Sequence, residues 1–299
     1  MTGVLTQVSV AYSGRKQENV RDEKGISFRC SREKGNEFLN RFQIAEIAQR
    51  QLADYDLHHP GRVFEDASIS MTVPDAYQVQ IEVAALRAAR GEPIAGYKIG
   101  CVSEAVRRQL GLDQLAFGHL FTTEVHRSGV TIDVAVFECL AIEAEFGIRI
   151  AVDIPNPEWL REYPERSVAA VFAVIELHNN VFRDATPTPQ ELIANNAFHA
   201  GLILPLIEGP VCDAVELNRE RIIVFRNGEN LGVASGNGTP GGPFMSLLKV
   251  AEHLARFGSG LKQDQIVLTG SALPMYSVQP GDHIVVRCLR LAEVEMTVA

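Results

Sequence analysis

The sequence predicts an α+β fold, a mixed and largely antiparallel β-core with a helical N-terminal cap. Three observations carry this. Apolar residues recur at helical spacing through much of residues 38–89, and the pattern changes at Gly91-Glu92-Pro93. Beyond that point short apolar, β-branched runs follow one another. Asn227-Gly228 sits between two of these runs, the strongest short hairpin signal a sequence offers.

Taken in order, residues 1–36 are polar and unperiodic, with charges from Arg15 to Lys34, and read as a flexible or poorly packed extension. Phe38, Phe42, Ala45, Ala48 and Leu52 mark one face of a helix to about Tyr55, broken by His58-His59-Pro60-Gly61. Thr72-Val-Pro-Asp75 caps a second helix that runs to Gly91. A short strand is expected over Ile94–Gly100 and a short helix over Glu104–Leu110. Further strands are expected at 131–134, 139–152, 168–177, 200–206, 221–225, 231–234, 266–270 and 284–288. One clear helix interrupts them at Phe244–Phe257, with Leu247, Val250, Ala251 and Leu254 at core spacing. The chain thus divides into an extension (1–36), a helical cap (37–92) and a β-core (93–299).

The 299 residues are 46% hydrophobic and 22% charged, enough to bury a substantial core. A net charge of −9 without a basic stripe argues against nucleic acid or an anionic membrane as partner, though not against a small anion. Five scattered cysteines (30, 101, 139, 212 and 288) without a CxxC pair suit a reducing cytoplasm. No apolar run reaches membrane-span length, and the N-terminus lacks signal-peptide order.

The strand at 139–152 turns Glu143 and Glu145 to one face and Ile142, Ala144 and Phe146 to the other. Two like charges on one face need either solvent or a cation. Glu176 ends a very apolar strand and shares its face with His178. Three carboxylates on strand ends make a hard oxygen set suited to Mg²⁺ or Mn²⁺ if they converge. His178, two residues beyond Glu176, is placed to touch a metal shell, but a hydrogen-bonded structural residue is the stronger expectation. Lys98, between Gly96 and Gly100, reads equally as an edge-strand surface lysine or as a cation for a substrate carboxylate. The turn Leu268-Thr-Gly-Ser-Ala-Leu-Pro-Met275 offers backbone N–H groups and two hydroxyls to an anion, or is an ordinary loop. Gly236-Asn-Gly-Thr-Pro-Gly241 matches GxGxxG, but it follows a hairpin strand and contains Pro240, so a dinucleotide site is not expected.

The ordered set GYKIG (96–100), FGHLF (117–121), IEAE (142–145), VIE (174–176), NNA (195–197), RNGE (226–229), LTGSALPM (268–275) and PGD (280–282) resembles one family over residues 40–298. It is that of the 2-keto-4-pentenoate hydratases and 2-oxo-3-hexenedioate (4-oxalocrotonate) decarboxylases, in the fumarylacetoacetate hydrolase superfamily. The resemblance implies a β-roll core and Mg²⁺ or Mn²⁺ held by Glu143, Glu145 and Glu176. It implies an active-site lysine at Lys98, and a substrate site including Lys98, Phe117, Leu120, Asn196, Thr269 and Ser271, with Ser271 also catalytic. It implies a homo-oligomer that hydrates a short 2-hydroxy-2,4-dienoate to a 4-hydroxy-2-oxo acid, as in meta-cleavage aromatic catabolism. Decarboxylation of a 2-oxo-enedioate on the same metal is the alternative, and a non-catalytic scaffold subunit is the alternative of another class. Four departures bear on this choice. Leu140-Ala141 stands where relatives have Pro-Arg, Asn195 and Ala116 where they have Asp, and 177–180 reads Leu-His-Asn-Asn.

Overall fold

Asn40 and Thr72 start the two long N-terminal helices, each by a capping box in which side chain and backbone satisfy one another. The computed structural model describes residues 38–179, 181, 187–209 and 214–299. The expected 1–36 extension, Cys30, Asn180 and Cys212 lie outside the described residues. Helices α1 (Arg41–Asp56) and α2 (Val73–Ala89) pack on each other ahead of the first strand. The remaining helices are α3 (Glu104–Gln109), α4 (Pro157–Glu162), α5 (Pro164–Ser167), α6 (Pro189–Ala194), α7 (Ala214–Arg219) and α8 (Gly242–Arg256).

Strands β1 (Ile94–Gly100), β2 (Ala116–Phe121), β3 (Val125–Arg127), β4 (Val130–Ile132), β5 (Leu140–Ile150), β6 (Val168–Asn179) and β7 (His199–Leu204) precede the hairpin. The hairpin itself is β8 (Arg221–Arg226) and β9 (Glu229–Ser235), turned at Asn227 (φ 53°) and Gly228 (φ 84°). Then come β10 (Ile266–Leu268), β11 (Tyr276–Ser277), β12 (His283–Cys288) and β13 (Val294–Val298). One sheet runs β2-β1-β10-β5-β6-β7-β3, with β11 added on β5; the other runs β4-β13-β12-β8-β9. Among the described residues only the pairs β1–β10, β3–β7 and β4–β13 are parallel, so the core is mixed and largely antiparallel, as expected. Among the described residues no helix is long and apolar enough to cross a membrane.

Differences from the expected elements have local causes. The strand expected over 200–206 stops at Leu204, because Pro205 cannot donate to the ladder. The strand expected to reach Gly270 stops at Leu268, where Gly270 (φ 85°) turns the chain away. Strand β2 was hidden by Gly118 and His119, which interrupt its apolar pattern.

The register of the first sheet puts Lys98, Glu143, Glu145, Glu176 and His178 on one face. On that same face, Leu120, Phe172, Val174, Leu202, Ile266 and Leu268 form a dry apolar cluster. Gly147 is part of this arrangement, since a Cβ there would lie 2.2 Å from the Phe172 ring. The opposite face packs into the main core.

Two histidines of the first sheet and its covering helix titrate far from solution behaviour. Burial pushes His119 down to about 4. Burial, with Arg256 and His119 nearby, pushes His253 down to about 3, its ring stacked on Phe117 at 4.0 Å between centroids. Both folded pKa values lie below the unfolded one of about 6.5. The unfolded chain therefore gains protons first, and stability present above that pH is lost as pH falls toward 4. His253→Phe is expected to flatten the fall in melting temperature between pH 6.5 and 4.5; an unchanged slope would show that His253 carries none of it.

Candidate metal centre

The long pairing of β5 with β6 creates the site, because it sets Glu143 directly opposite Glu176 and Ala141 opposite His178. Each pair shares a face, so Glu143, Glu176 and His178 offer three ligand atoms within 4.8 Å of one another. His178 Nε2 lies 3.3 Å from Glu143 Oε2 and 3.4 Å from Glu176 Oε2. Glu145, one position further along the same face, is fully buried, and its Oε2 accepts a 2.7 Å hydrogen bond from the Gly270 N–H. The left-handed turn at Gly270 is what aims that N–H.

Lys98 is the cation of this cluster. It is 2% exposed, donates to the Ala197 carbonyl at 3.1 Å and meets Glu176 Oε1 at 2.8 Å. Burial would lower its pKa, but Glu176, Glu143 and Glu145 hold the ammonium above its ordinary range. Lys98 is therefore held as a charged donor beside these carboxylates. Burial would likewise raise Glu176, yet Lys98 and His178 hold it well below the usual carboxylate range. Burial would lower His178, but Glu176 and Glu143 hold it up to about 9. Glu145 goes the other way: burial, then Glu176 and Glu143, push it well above the ordinary value.

The cluster holds buried polar atoms that its own residues leave unmatched. Glu145 Oε1 and Glu176 Oε2 are buried acceptors with no hydrogen-bond donor, and neither ring nitrogen of His178 has a hydrogen-bond partner. Orphaned carboxylate oxygens on a closely spaced acidic set fit a divalent cation.

The site forms the wall of a cleft of about 610 Å³. Lys98, Glu143, His178 and Ser271 line it, with Val102, Val106, Leu110, Leu273 and Met275 supplying an apolar surface and Glu104 the other acid. Ser271 commits its proton to the Ala144 or Leu273 carbonyl oxygen, which anchors its loop.

Four expected substrate residues do not line the cleft. Phe117 points to the opposite face, against His253. Leu120 is sealed in the dry cluster. Thr269 is buried and donates to the Phe146 carbonyl. The Asn196 side chain bridges the His119 backbone, accepting from its N–H at 2.7 Å and donating to its C=O at 2.9 Å. One residue of the site, His199, was missed from the sequence. His178, weighed as a neighbour of the metal but expected as a structural residue, has Nε2 between the Glu143 and Glu176 carboxylates and Nδ1 without a hydrogen-bond partner. His199 Nδ1 meets Glu176 Oε1 at 2.8 Å and fixes that carboxylate from behind. Its bulged pairing opposite His178 was not legible in the residue order.

No family model matches the chain. A 2-keto-4-pentenoate hydratase of Paraburkholderia xenovorans (strain LB400) is 26% identical over 241 residues, covering 80% of this chain and 89% of the relative. A solved 4-oxalocrotonate decarboxylase from Pseudomonas putida G7, complexed with magnesium and adipate, superposes with a TM-score of 0.78 and 25% identity. That match covers 88% of this chain and all of the decarboxylase. The chain is a homologue of these enzymes. A fumarylpyruvate hydrolase from Pseudomonas aeruginosa, complexed with Mn²⁺ and pyruvate, shares the fold at a TM-score of 0.54 and 17% identity, over 70% of this chain and 91% of that one. The β-roll expected for the fumarylacetoacetate hydrolase superfamily is thus the fold of this homologue of the hydratases and decarboxylases.

Proposed function

We propose that the chain is a divalent-metal-dependent hydro-lyase that adds water to a short 2-hydroxy-2,4-dienoate, or its 2-oxo tautomer, giving a 4-hydroxy-2-oxo acid. One observation carries this choice among the relatives' activities. Cation and carboxylates gather on one wall of the cleft, while the rest of the described lining is mostly apolar and has no second cation. A monocarboxylate dienoate suits such a cleft, because its one charged end meets Lys98 and its chain lies on apolar residues. A dicarboxylate would set its far carboxylate on this mostly apolar lining, whose other charged residue is the acid Glu104.

The proposed ligands are Glu143, Glu145 and Glu176, with Mg²⁺ or Mn²⁺ as the ion; the orphaned oxygens of Glu145 and Glu176 support them. Held by these residues, a divalent ion would supply Lewis-acid stabilisation of the negative charge that develops on a 2-oxo acid. Lys98, held charged, binds the substrate carboxylate and stands ready as a proton donor. His199 keeps Glu176 oriented. Leu273 and Met275 exclude water from the substrate's chain, and Ser271 holds their loop. Residues 37–92 serve as the cap and 93–299 as the catalytic core of a cytoplasmic homo-oligomer.

The test follows loss of dienoate ultraviolet absorbance with Mg²⁺ or Mn²⁺. Turnover is expected to stop with chelator and return with metal, and kcat/KM for the monocarboxylate is expected to exceed that for the enedioate by about tenfold or more. Metal-independent turnover, or none on any 2-hydroxydienoate, would overturn the proposal. The second reading, decarboxylation of a 2-oxo-enedioate, is favoured by the close superposition on the decarboxylase. Carbon dioxide release from the enedioate would establish it.

A further inference from the structure

We propose that His178 is a ligand of the metal as well, through Nε2, so that the site is a mixed nitrogen and oxygen centre that selects Mn²⁺ or Co²⁺ over Mg²⁺. The proposal rests on the metal-dependent reading above and adds to it.

Geometry argues for it first. An octahedral ion with bonds of about 2.1 Å sets neighbouring ligand atoms about 3.0 Å apart and opposite ones about 4.2 Å apart. The 3.3 and 3.4 Å separations of His178 Nε2 from Glu143 Oε2 and Glu176 Oε2 are close to the first of these. The three ligand atoms all lie within 4.8 Å of one another, so one ion can reach all of them after small rotations of the side chains. The hydrogen-bond inventory argues for it next. The imidazole is 4% exposed, and neither nitrogen has a hydrogen-bond partner. A buried polar ring left unmatched is costly unless something else satisfies it. Glu176 Oε2 lies 3.4 Å from Nε2 with no hydrogen-bond donor, so one ion that displaces the ring's proton would meet both atoms. The local fold is compatible with it, because Ala141 is the cross-strand partner of His178 and sets only a methyl group beside the ring.

The chemical consequence is a change of preference. Carboxylates alone suit Mg²⁺ and Mn²⁺, whereas imidazole favours the later transition ions, with affinity rising from Mn²⁺ to Co²⁺ for a given set of donors. A site with one imidazole among its carboxylates should therefore discriminate against Mg²⁺.

The test is pulsed electron paramagnetic resonance of Mn²⁺ bound to the full chain labelled with ¹⁵N-histidine, with calorimetric titration of Co²⁺ and Mg²⁺. A directly bonded ¹⁵N coupling is expected in the wild type and is expected to vanish in His178→Ala. In that variant the ratio of Co²⁺ to Mg²⁺ affinity should fall by about tenfold or more, with Mg²⁺ affinity changed less than about threefold. Mn²⁺ bound without nitrogen coupling in the wild type would overturn the role of His178 and leave the carboxylate site standing, whether or not the variant folds. An unchanged affinity ratio in folded His178→Ala would overturn it equally. Failure of the wild type to bind any of the three ions would overturn the metal-dependent reading itself.

Discussion

Glu176→Gln is expected to lower turnover by about three orders of magnitude and to remove measurable affinity for divalent ions. Glu176 is fully buried and joins every part of the site. Oε1 meets Lys98 Nζ and His199 Nδ1, both at 2.8 Å, while Oε2 lies 3.4 Å from His178 Nε2. The amide is nearly isosteric and still accepts from Lys98, but it carries no charge. Stabilisation of charge by a divalent ion is worth several kcal/mol, and about 1.4 kcal/mol is a factor of ten in rate. Loss of one charged ligand therefore accounts for roughly a thousandfold. The measurement is kcat on a 2-hydroxydienoate at saturating Mn²⁺, with Mn²⁺ affinity by calorimetry and circular dichroism to verify the fold. A folded variant with turnover within about tenfold of wild type would remove Glu176 from the chemistry.

The same residue shows what residue order reveals and what it does not. The strands that carry the acids were legible, because 139–152 and 168–177 are long, apolar and β-branched, and they appear as Leu140–Ile150 and Val168–Asn179. The capping box at Thr72 and the hairpin at Asn227-Gly228 were legible for equally local reasons. Register was not. That Glu143 faces Glu176 depends on how two strands align over eleven pairs, which no local signal encodes. The same limit explains Phe117 and Leu120. They lie three residues apart on β2 and so point to opposite faces, and neither reaches the cleft. Strand β10, which separates β1 from β5, joins from more than a hundred residues further along the chain. Two departures from the family pattern, Ala141 and His178, look unrelated in sequence and prove to be one cross-strand pair. A small residue and an imidazole share the space that the resemblance assigns to an arginine.

Glu145→Gln is expected to stabilise the metal-free protein while abolishing its stabilisation by divalent ions. Burial is the largest influence on this carboxyl, followed by Glu176 and Glu143, and together they raise its pKa well above the ordinary value; Lys98 and the Gly270 N–H only partly offset them. The sign follows from linkage. Above an ordinary carboxylate pKa of about 4.3 the unfolded chain has released this proton while the folded chain keeps it, so stability falls as pH rises through the window up to the folded pKa. Gln has no proton to lose, and its carbonyl oxygen still accepts the Gly270 N–H that Glu145 holds at 2.7 Å. Without divalent ions at pH 7.5, the melting temperature of the variant should rise by a few degrees, as about 1–2 kcal/mol produces in a chain of this size, and should depend less on pH. Added Mn²⁺ should raise the wild-type melting temperature and leave that of the variant unmoved. A variant less stable than the metal-free wild type, or one still stabilised by Mn²⁺, would show that Glu145 is a structural acceptor for Gly270. The opposed signs distinguish a ligand from a scaffold residue, because a carboxylate kept at a cost to the metal-free fold has a cation to hold.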